Sequence, residues 1–346
     1  MILIMEENTG DVPLPPARMT VGVIFNSKGE NKGGTADAQA EYDSMDTVRA
    51  IAGAIESGGY LTELFEADAT LPGELERRHI DIAFNIAEGL RGRGREAEVP
   101  ALLNLLDIPF TGSDETALGI ALDKELCKRL AESEGVPAPK SRLAADGITL
   151  GGAMSLRFPV IVKPNAEGSS KGIGDVCVAG GEEELGEFVR RGLRDYGEPM
   201  LCEEYIEGRE FTVGLLGNGA QVRVFPPMEI IFRTDKHIYS FDVKQDYKKY
   251  VDYACPPDIS GESLKTMQDY ARRVFALLGC RDFARVDFRM DADGRIFFIE
   301  INPLPGLAPG YSDYPMLAEF SGVGYTELVL SVLRTALTRL GMEAER

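Results

Sequence analysis

The stretch from Asp282 to Gly306, DFARVDFRMDADGRIFFIEINPLPG, constrains this chain more than any other. Two runs rich in β-branched and aromatic residues flank Asp291-Ala292-Asp293-Gly294, which predicts an antiparallel hairpin. Pairing Met290 with Arg295 sets Arg285 opposite Glu300 and Asp287 opposite Phe298. Side chains alternate along a strand, so Arg285, Asp287, Glu300 and Asn302 share one face. Ala284, Val286, Phe288, Phe297, Ile299 and Ile301 form the other face, which reads as core. The first face gathers two carboxylates, an amide oxygen and a guanidinium. Such a donor set suits Mg²⁺, which takes few protein ligands and leaves the rest to phosphate and water. The plainer alternative is a solvated sheet face with one Arg–Glu pair. The apolar strands around it and Pro303–Gly306 directly after it favour the metal.

Upstream, Phe158–Gly174 (FPVIVKPNAEGSSKGIG) is an apolar strand that delivers Lys163, is stopped by Pro164, and opens into a small-residue loop carrying Ser169 and Ser170. Glycine and serine let backbone N–H groups and hydroxyls approach phosphate oxygens, and a lysine adds a point charge. No Gly-Lys pair is present, so this is not a Walker A loop. In Met200–Thr212 (MLCEEYIEGREFT), Glu203 and Glu204 interrupt an apolar strand, with Glu210 beyond a Glu207-Gly208 turn. The segment reads equally as a hinge strand that meets an adenine edge and ribose hydroxyls, or as an exposed edge strand. Gly92–Ala97 (GRGREA) matches GxGxxA, but five residues separate it from the preceding strand, too many for the tight turn of a dinucleotide fingerprint. Arg91, Arg93 and Arg95 make that loop cationic and suited to an anionic substrate or product.

The rest of the chain supplies the setting. MTVGVIF (Met19–Phe25), Tyr60–Phe65 and DIAFNI (Asp81–Ile86) alternate with helical stripes, the pattern of a parallel α/β sheet; IPFTGS adds a short strand. Asp114 is placed to cap a helix in which Leu118, Leu122, Leu126 and Leu130 repeat every four residues. Val136-Pro137-Ala138-Pro139 reads as a linker. Beyond it come adjacent strands with separate helices, an α+β pattern, including VRVFPPMEIIF as one strand and Asp242–Tyr253 as a long loop. The formal net charge of −19 disfavours nucleic acid and anionic membrane as partners. Five scattered cysteines and two histidines offer neither a disulfide framework nor a zinc site. No apolar run is long enough to span a bilayer, and the N-terminal stretch lacks the basic start of a signal peptide, so a cytoplasmic protein with a loose tail over residues 1–18 is expected.

Taken together, FNIAEGLRGRGREAEVPALLNLLDIPFTGSD, ALDKELCKRL, the lysine-bearing strand and loop, LCEEYIEGREFTVGLLG and the hairpin resemble the ATP-grasp superfamily, most closely the D-alanine–D-alanine ligase group. The resemblance implies an α/β N-terminal domain (19–116) and two α+β ATP-grasp domains (117–200 and 201–346), with ATP between the latter two. It implies that Lys124 and Lys163 contact the phosphates beneath the Ser169–Ser170 loop. Glu203, Glu204, Tyr205 and Ile206 would line the adenine pocket, and Glu210 would hold the ribose. Asp287, Glu300 and Asn302 would bind two Mg²⁺ ions, with Mn²⁺ as the alternative. Arg285 and the Gly306 N–H would stabilise an oxyanion, and Tyr247 and Lys248 would reach inward from a lid. Chemically it implies a homodimeric carboxylate–amine ligase that works through an acylphosphate and releases ADP and phosphate.

The departures from that family fall where amino acids bind. Its GGxSxE-type segment is represented by Gly33–Glu41 with altered spacing, leaving Asp37 or Glu41 to hold an amine. Glu88 stands where the family has a histidine, its acidic GEDG-like element is replaced by Arg95-Glu96-Ala97-Glu98, and Tyr311 and Ser312 sit in an altered acceptor segment. These changes point to small-molecule substrates other than two D-alanines. A genuine D-alanine–D-alanine ligase, a non-catalytic ATP-binding sensor and a phosphotransferase are the alternatives.

Overall fold

The computed structural model describes residues 18–29, 41–168, 177–233 and 247–342. Three sheets organise them, and the first is parallel, as the alternating pattern requires. β1 (Thr20–Phe25) lies between β2 (Leu61–Glu66) and β3 (Ile82–Asn85). Helix α1 (Met45–Ser57) crosses from β1 to β2; the Ser44 hydroxyl caps it by accepting from the Thr47 N–H at 3.2 Å. Its buried stripe, Val48, Ile51, Ala52 and Ile55, packs in one core with β1 and a C-terminal helix. After α2 (Leu71–Arg77) and β3, a loop leads through a 3₁₀ turn at Arg95–Ala97 into α3 (Glu98–Leu105). IPFTGS is not a strand: it makes a single bridge, Ala83 to Phe110. Pro109 has no N–H to give, and Gly112, at φ +87°, turns the chain away.

Asp114 caps α4 (Glu115–Leu122) as expected, but the leucine repeat does not run on as one helix. Asp123 leaves the helical conformation, accepts from the Leu126 N–H at 3.1 Å, and starts α5 (Lys124–Ser133). The break turns Lys124, Cys127, Lys128 and Ala131 inward. The predicted linker is also held: Val136 and Ala138 are buried, and the Pro137 carbonyl accepts from the Phe298 N–H at 2.7 Å.

The second sheet is antiparallel: β4 (Ser141–Ala144), β7 (Met200–Glu204), β5 (Val160–Pro164) and β6 (Val178–Ala179), in that order across it. Helices α6 (Gly147–Ala153) and α7 (Glu182–Tyr196) accompany it, and α7 buries Leu185, Phe188 and Val189 in its core. Because β7 lies between β4 and β5, and all its residues are buried, it is not an exposed edge strand.

The third sheet runs β11-β10-β8-β12-β13, with β9 paired to β8. These are β8 (Arg209–Leu216), β9 (Arg223–Val224), β10 (Met228–Phe232), β11 (Val251–Ala254), β12 (Phe283–Met290) and β13 (Ile296–Asn302). VRVFPPMEIIF is therefore two strands, because Pro226 and Pro227 cannot donate to a ladder. The described part of the expected 242–253 loop is also ordered: α8 (Tyr247–Tyr250) enters β11, which pairs with β10. Helix α9 (Gly261–Leu277) covers the apolar face, and α10 (Asp313–Phe320) and α11 (Tyr325–Leu340) return to the first sheet. No single helix among the described residues is long and apolar enough to cross a membrane. All five cysteines are free.

The hairpin has a different register from the simple one. Met290 pairs with Ile296 and Phe288 with Phe298, but Asp287 pairs with Glu300 and Arg285 with Asn302. One extra residue, Ile299, is accommodated as a β-bulge. The core face accordingly holds Ile296, Phe298 and Ile301, not Phe297 and Ile299. An unbroken strand that buried Phe298 would also turn Glu300 and Asn302 into the core. The bulge switches their parity and returns them to the face of Asp287.

Candidate active site

On the polar hairpin face, Arg285 forks onto Asp287, Nε to Oδ1 at 3.0 Å and Nη2 to Oδ2 at 2.9 Å. Asp287 also accepts from the Thr212 hydroxyl at 2.7 Å and from Asn302 Nδ2 at 3.3 Å. Arg285 Nη1 is 3.9 Å from Asp313 Oδ2 at the start of α10. Burial opposes the charge on Arg285, but Asp287, Asp313 and Glu300 outweigh it and hold its pKa above the ordinary value. Asp287, Glu300 and Asn302 are thus brought together with Arg285. Glu300 and the Asn302 carbonyl add oxygens to those of Asp287, the donor chemistry of a hard divalent cation.

The lysines surround this face. Lys124 Nζ lies 3.7 Å from Glu300 and donates to the Glu167 carbonyl. Lys163 Nζ is 3.6 Å from Glu203 Oε2. A third lysine, not anticipated from the sequence, is closer: Lys128 Nζ is 3.0 Å from Glu203 Oε2 and donates to the carbonyls of Ile299 at 2.6 Å and Phe298 at 3.3 Å. The bulge is therefore braced on its oxygen side by a buried ammonium, whose pKa burial lowers. The available signal was positional, because Lys128 shares the buried stripe of α5 with Lys124 and Ala131.

The expected adenine strand has a similar surprise. Glu203 is buried between Lys128 and Lys163, and Glu204 accepts from the Arg157 N–H at 3.0 Å. The Glu204 and Tyr205 N–H groups are already used by the carbonyls of Lys140 and Pro159, both at 2.9 Å. Ile206 is buried beside them. Glu210 accepts from Arg289 Nη1 at 3.1 Å, and that guanidinium lies 4.8 Å from the Tyr205 ring centroid. Arg289 pairs with Phe297 across the hairpin, so both lie on the face of Asp287; Arg289 was not singled out in the sequence, and Phe297 was expected on the core face. Ser169 and Ser170 lie outside the described residues, as do Asp37 and the side chains of Tyr247 and Lys248.

A cavity of about 420 Å³ opens beside the hairpin. Arg285, Glu300 and Asn302 form one wall, with Lys124 and Gly306 next to them. Tyr311 and Ser312 line it from the loop before α10, and Glu41 and Glu88 line it from the first domain. A Cβ on Gly306 would come within 2.8 Å of the Ser312 hydroxyl oxygen, so this corner admits only glycine without a shift. Among the described residues, Lys163 and the segment 203–206 do not reach the cavity wall, and neither does Glu210.

The first-domain wall is acidic. Arg95 Nη2 donates to both Glu41 oxygens, at 2.6 and 2.8 Å, and Nη1 donates to the Ala166 carbonyl at 2.6 Å. Glu167 lies 3.2 Å away, and Glu41 also accepts from the Gly168 N–H at 2.6 Å. Arg95 is therefore buried and paired, not presented to an anionic substrate, and Arg93 lies 3.3 Å from Asp123. Gly89 makes this closure possible. At φ +76°, a Cβ there would fall 1.9 Å from the Arg95 carbonyl oxygen.

Glu96, another residue the sequence reading did not select, completes the wall with Glu88. Burial, reinforced by neighbouring carboxylates, raises Glu88 well above the usual range and pushes Glu96 up to about 7. Burial likewise pushes Asp43 up to about 7, with Lys28 opposing. Folded Glu96 keeps a proton that the unfolded chain releases near pH 4.5. The folded state then binds more protons across that window, and stability falls as pH rises through it. Glu96→Gln is expected to raise stability in urea by about 1–3 kcal/mol at pH 8 and by almost nothing at pH 4. An equal gain at both pH values would contradict this assignment.

Comparison with known proteins follows the same outline. A family model described as the D-ala D-ala ligase C-terminus matches residues 139–334. The chain is 34% identical over 300 residues to the uncharacterized protein y4sG of Sinorhizobium fredii, covering 84% of this chain and 87% of that one. It is 32% identical over 302 residues to the D-alanine–D-alanine ligase of Carboxydothermus hydrogenoformans, covering 85% and 93% of the two chains. Among solved structures, the D-alanine–D-alanine ligase of Bacillus anthracis complexed with ATP superposes with a TM-score of 0.72 at 22% identity, over 94% of this chain and all 100% of that one. The VanG D-Ala:D-Ser ligase of Enterococcus faecalis gives 0.72 at 19% identity, over 92% and 100%. At such identities the two structures speak for the fold.

Proposed function

We infer, for a chain that belongs to the D-alanine–D-alanine ligase family and is an ATP-dependent ligase forming C–N bonds, that its substrates are not two D-alanines. One observation carries this reading. Glu41, the described candidate for holding the first amine, is already engaged by the buried Arg95, while Glu88 and Glu96 line the wall beside it. The hairpin face, in contrast, has the side chains that ATP and a divalent ion require. An amino acid joined to a different carboxylate or amine fits this division. Small molecules suit a cavity of about 420 Å³, and the charge of −19 disfavours nucleic acid.

In this reading a substrate carboxylate attacks the γ-phosphate of ATP, the bond to the β-phosphate oxygen breaks, and ADP leaves. An amine then attacks the acylphosphate carbonyl and expels phosphate. Lys124 and Lys163 offset the charge that would keep a carboxylate away from the triphosphate. Arg285 and Gly306 line the cavity, where the guanidinium and the Gly306 N–H would meet the tetrahedral oxyanion as it grows. Glu210 and the 203–206 segment hold adenosine. Asp287, Glu300 and Asn302 would hold Mg²⁺, or Mn²⁺ in its place, which neutralises phosphate charge when bound. Three domains accompany the reading. They are 19–116, 117–200 and 201–346, and the last boundary falls at the start of β7, which pairs with β4 and β5.

The test is a screen of amino-acid pairs with Mg-ATP, read as ADP release and by mass spectrometry of the products. Robust release is expected with a pair other than two D-alanines. Preferential formation of D-alanyl-D-alanine would overturn the reading.

A further inference from the structure

We propose that the first substrate is a short diamino acid, whose two ammonium groups bind Glu88 and Glu96. This rests on the ligase reading and names the substrate class of the same cavity.

The argument is one of charge and geometry. Glu41, Glu88 and Glu96 each place a carboxylate oxygen within 4.8 Å of the others. Arg95 is spent on Glu41, with Glu167 at 3.2 Å, and Lys28 stands by Asp43. Arg95 attracts both Glu88 and Glu96, and Lys124 attracts Glu96, but Arg95 is paired with Glu41 and Lys124 lies 3.7 Å from Glu300. Among the described residues no hydrogen bond or ion pair is made to Glu88 or Glu96, although Glu96 is only 8% exposed and lines the cavity. A buried carboxylate without a partner is unfavourable unless something neutralises it. Burial and mutual repulsion raise the pKa of both carboxyls, because a second negative charge on the bare wall is unfavourable. Two unmatched acids call for two positive charges, and a single α-ammonium supplies one.

The spacing then limits the ligand. Cations that contact oxygens no more than 4.8 Å apart must themselves be close, as on neighbouring or next-neighbouring carbons. A divalent metal in the same three-oxygen group is disfavoured, because the Arg95 guanidinium already lies 2.6 and 2.8 Å from the Glu41 oxygens. An ammonium instead brings N–H donors to oxygens that lack them. With the ammonium groups at this wall, the substrate carboxylate is free to face Lys124 and Arg285 in the same cavity.

The experiment measures ADP release by the full chain with Mg-ATP, with the acceptor amino acid held fixed and the donor varied. The donors are 2,3-diaminopropionate and 2,4-diaminobutyrate against alanine and 2-aminobutyrate, each as both enantiomers. The diamino donor is expected to show at least about a ten-fold higher kcat/KM than its monoamino counterpart. Glu88→Gln and Glu96→Gln are each expected to bring that ratio close to one. The ratio is taken within one protein preparation, so partial misfolding does not mimic the result. A monoamino donor used equally well, or a preference that survives both substitutions, overturns the proposal. So does Mn²⁺ retained by the nucleotide-free protein in equilibrium dialysis and lost in Glu96→Gln. ADP release with monoamino donors alone sinks only this inference; release with no donor at all sinks the ligase reading and this inference with it.

Discussion

Arg285→Met is expected to lower kcat for ligation by about 10²–10³-fold, the usual consequence of removing a preorganised donor from a developing oxyanion. Arg285 is held from two sides: Asp287 takes its fork at 2.9 and 3.0 Å, and Asp313 lies 3.9 Å away. Because its neighbours are acidic, the guanidinium stays charged throughout the working pH range. Methionine keeps the stem and removes the charge. Steady-state rates with saturating substrates give kcat, and calorimetry gives ATP affinity separately. Arg285→Lys should recover only part of the loss, since an ammonium cannot reproduce the two-point contact with Asp287. If kcat falls less than five-fold in Arg285→Met, the oxyanion role is wrong.

Lys128→Met should destabilise the fold by about 3–5 kcal/mol, in the range for removing one partner of a buried ion pair. Glu203 would keep only Lys163, at 3.6 Å, and the carbonyls of Phe298 and Ile299 would lose their donor. Those carbonyls flank the bulge that turns Glu300 toward the cavity, so nucleotide affinity should weaken along with stability. Urea unfolding measures the first effect, and calorimetry on the folded fraction the second. Adding Glu203→Gln should restore much of the stability, because the stranded charge is then gone. A loss below 1 kcal/mol in the single variant would show that Lys163 alone satisfies Glu203.

These two residues differ in how well the sequence announces them. Arg285 sits at period-two spacing from Asp287 on a strand, so its face and neighbour are legible from alternation. Lys128 is one of two lysines on α5, and its role exists only because α5 packs against β13. The bulge was hidden for a related reason. Ile296, Phe297, Phe298 and Ile299 are four apolar residues in a row, and such a run fits either parity. Packing against α9 and β8 selects Phe298 for the core, and Ile299 absorbs the difference. The acidic wall was half legible. Glu88 stood out as a departure from a resembling pattern, whereas Glu96 gains its meaning from Arg95 folding back onto Glu41.

The sequence by itself determined the order of elements, the α/β and α+β halves, the hairpin and the oxygen-rich face it carries. Alternation and helical periodicity are local, and local patterns survive without knowledge of the whole. Tertiary structure decided which charges meet: Lys128 pairs with Glu203 and Arg95 with Glu41, while Arg95 and Lys124 act on Glu96 only from beyond ion-pair distance. Electrostatic partnership depends on distances of a few ångströms between segments far apart in the chain, 171 residues from Lys128 to Ile299, and no spacing rule along the chain encodes that.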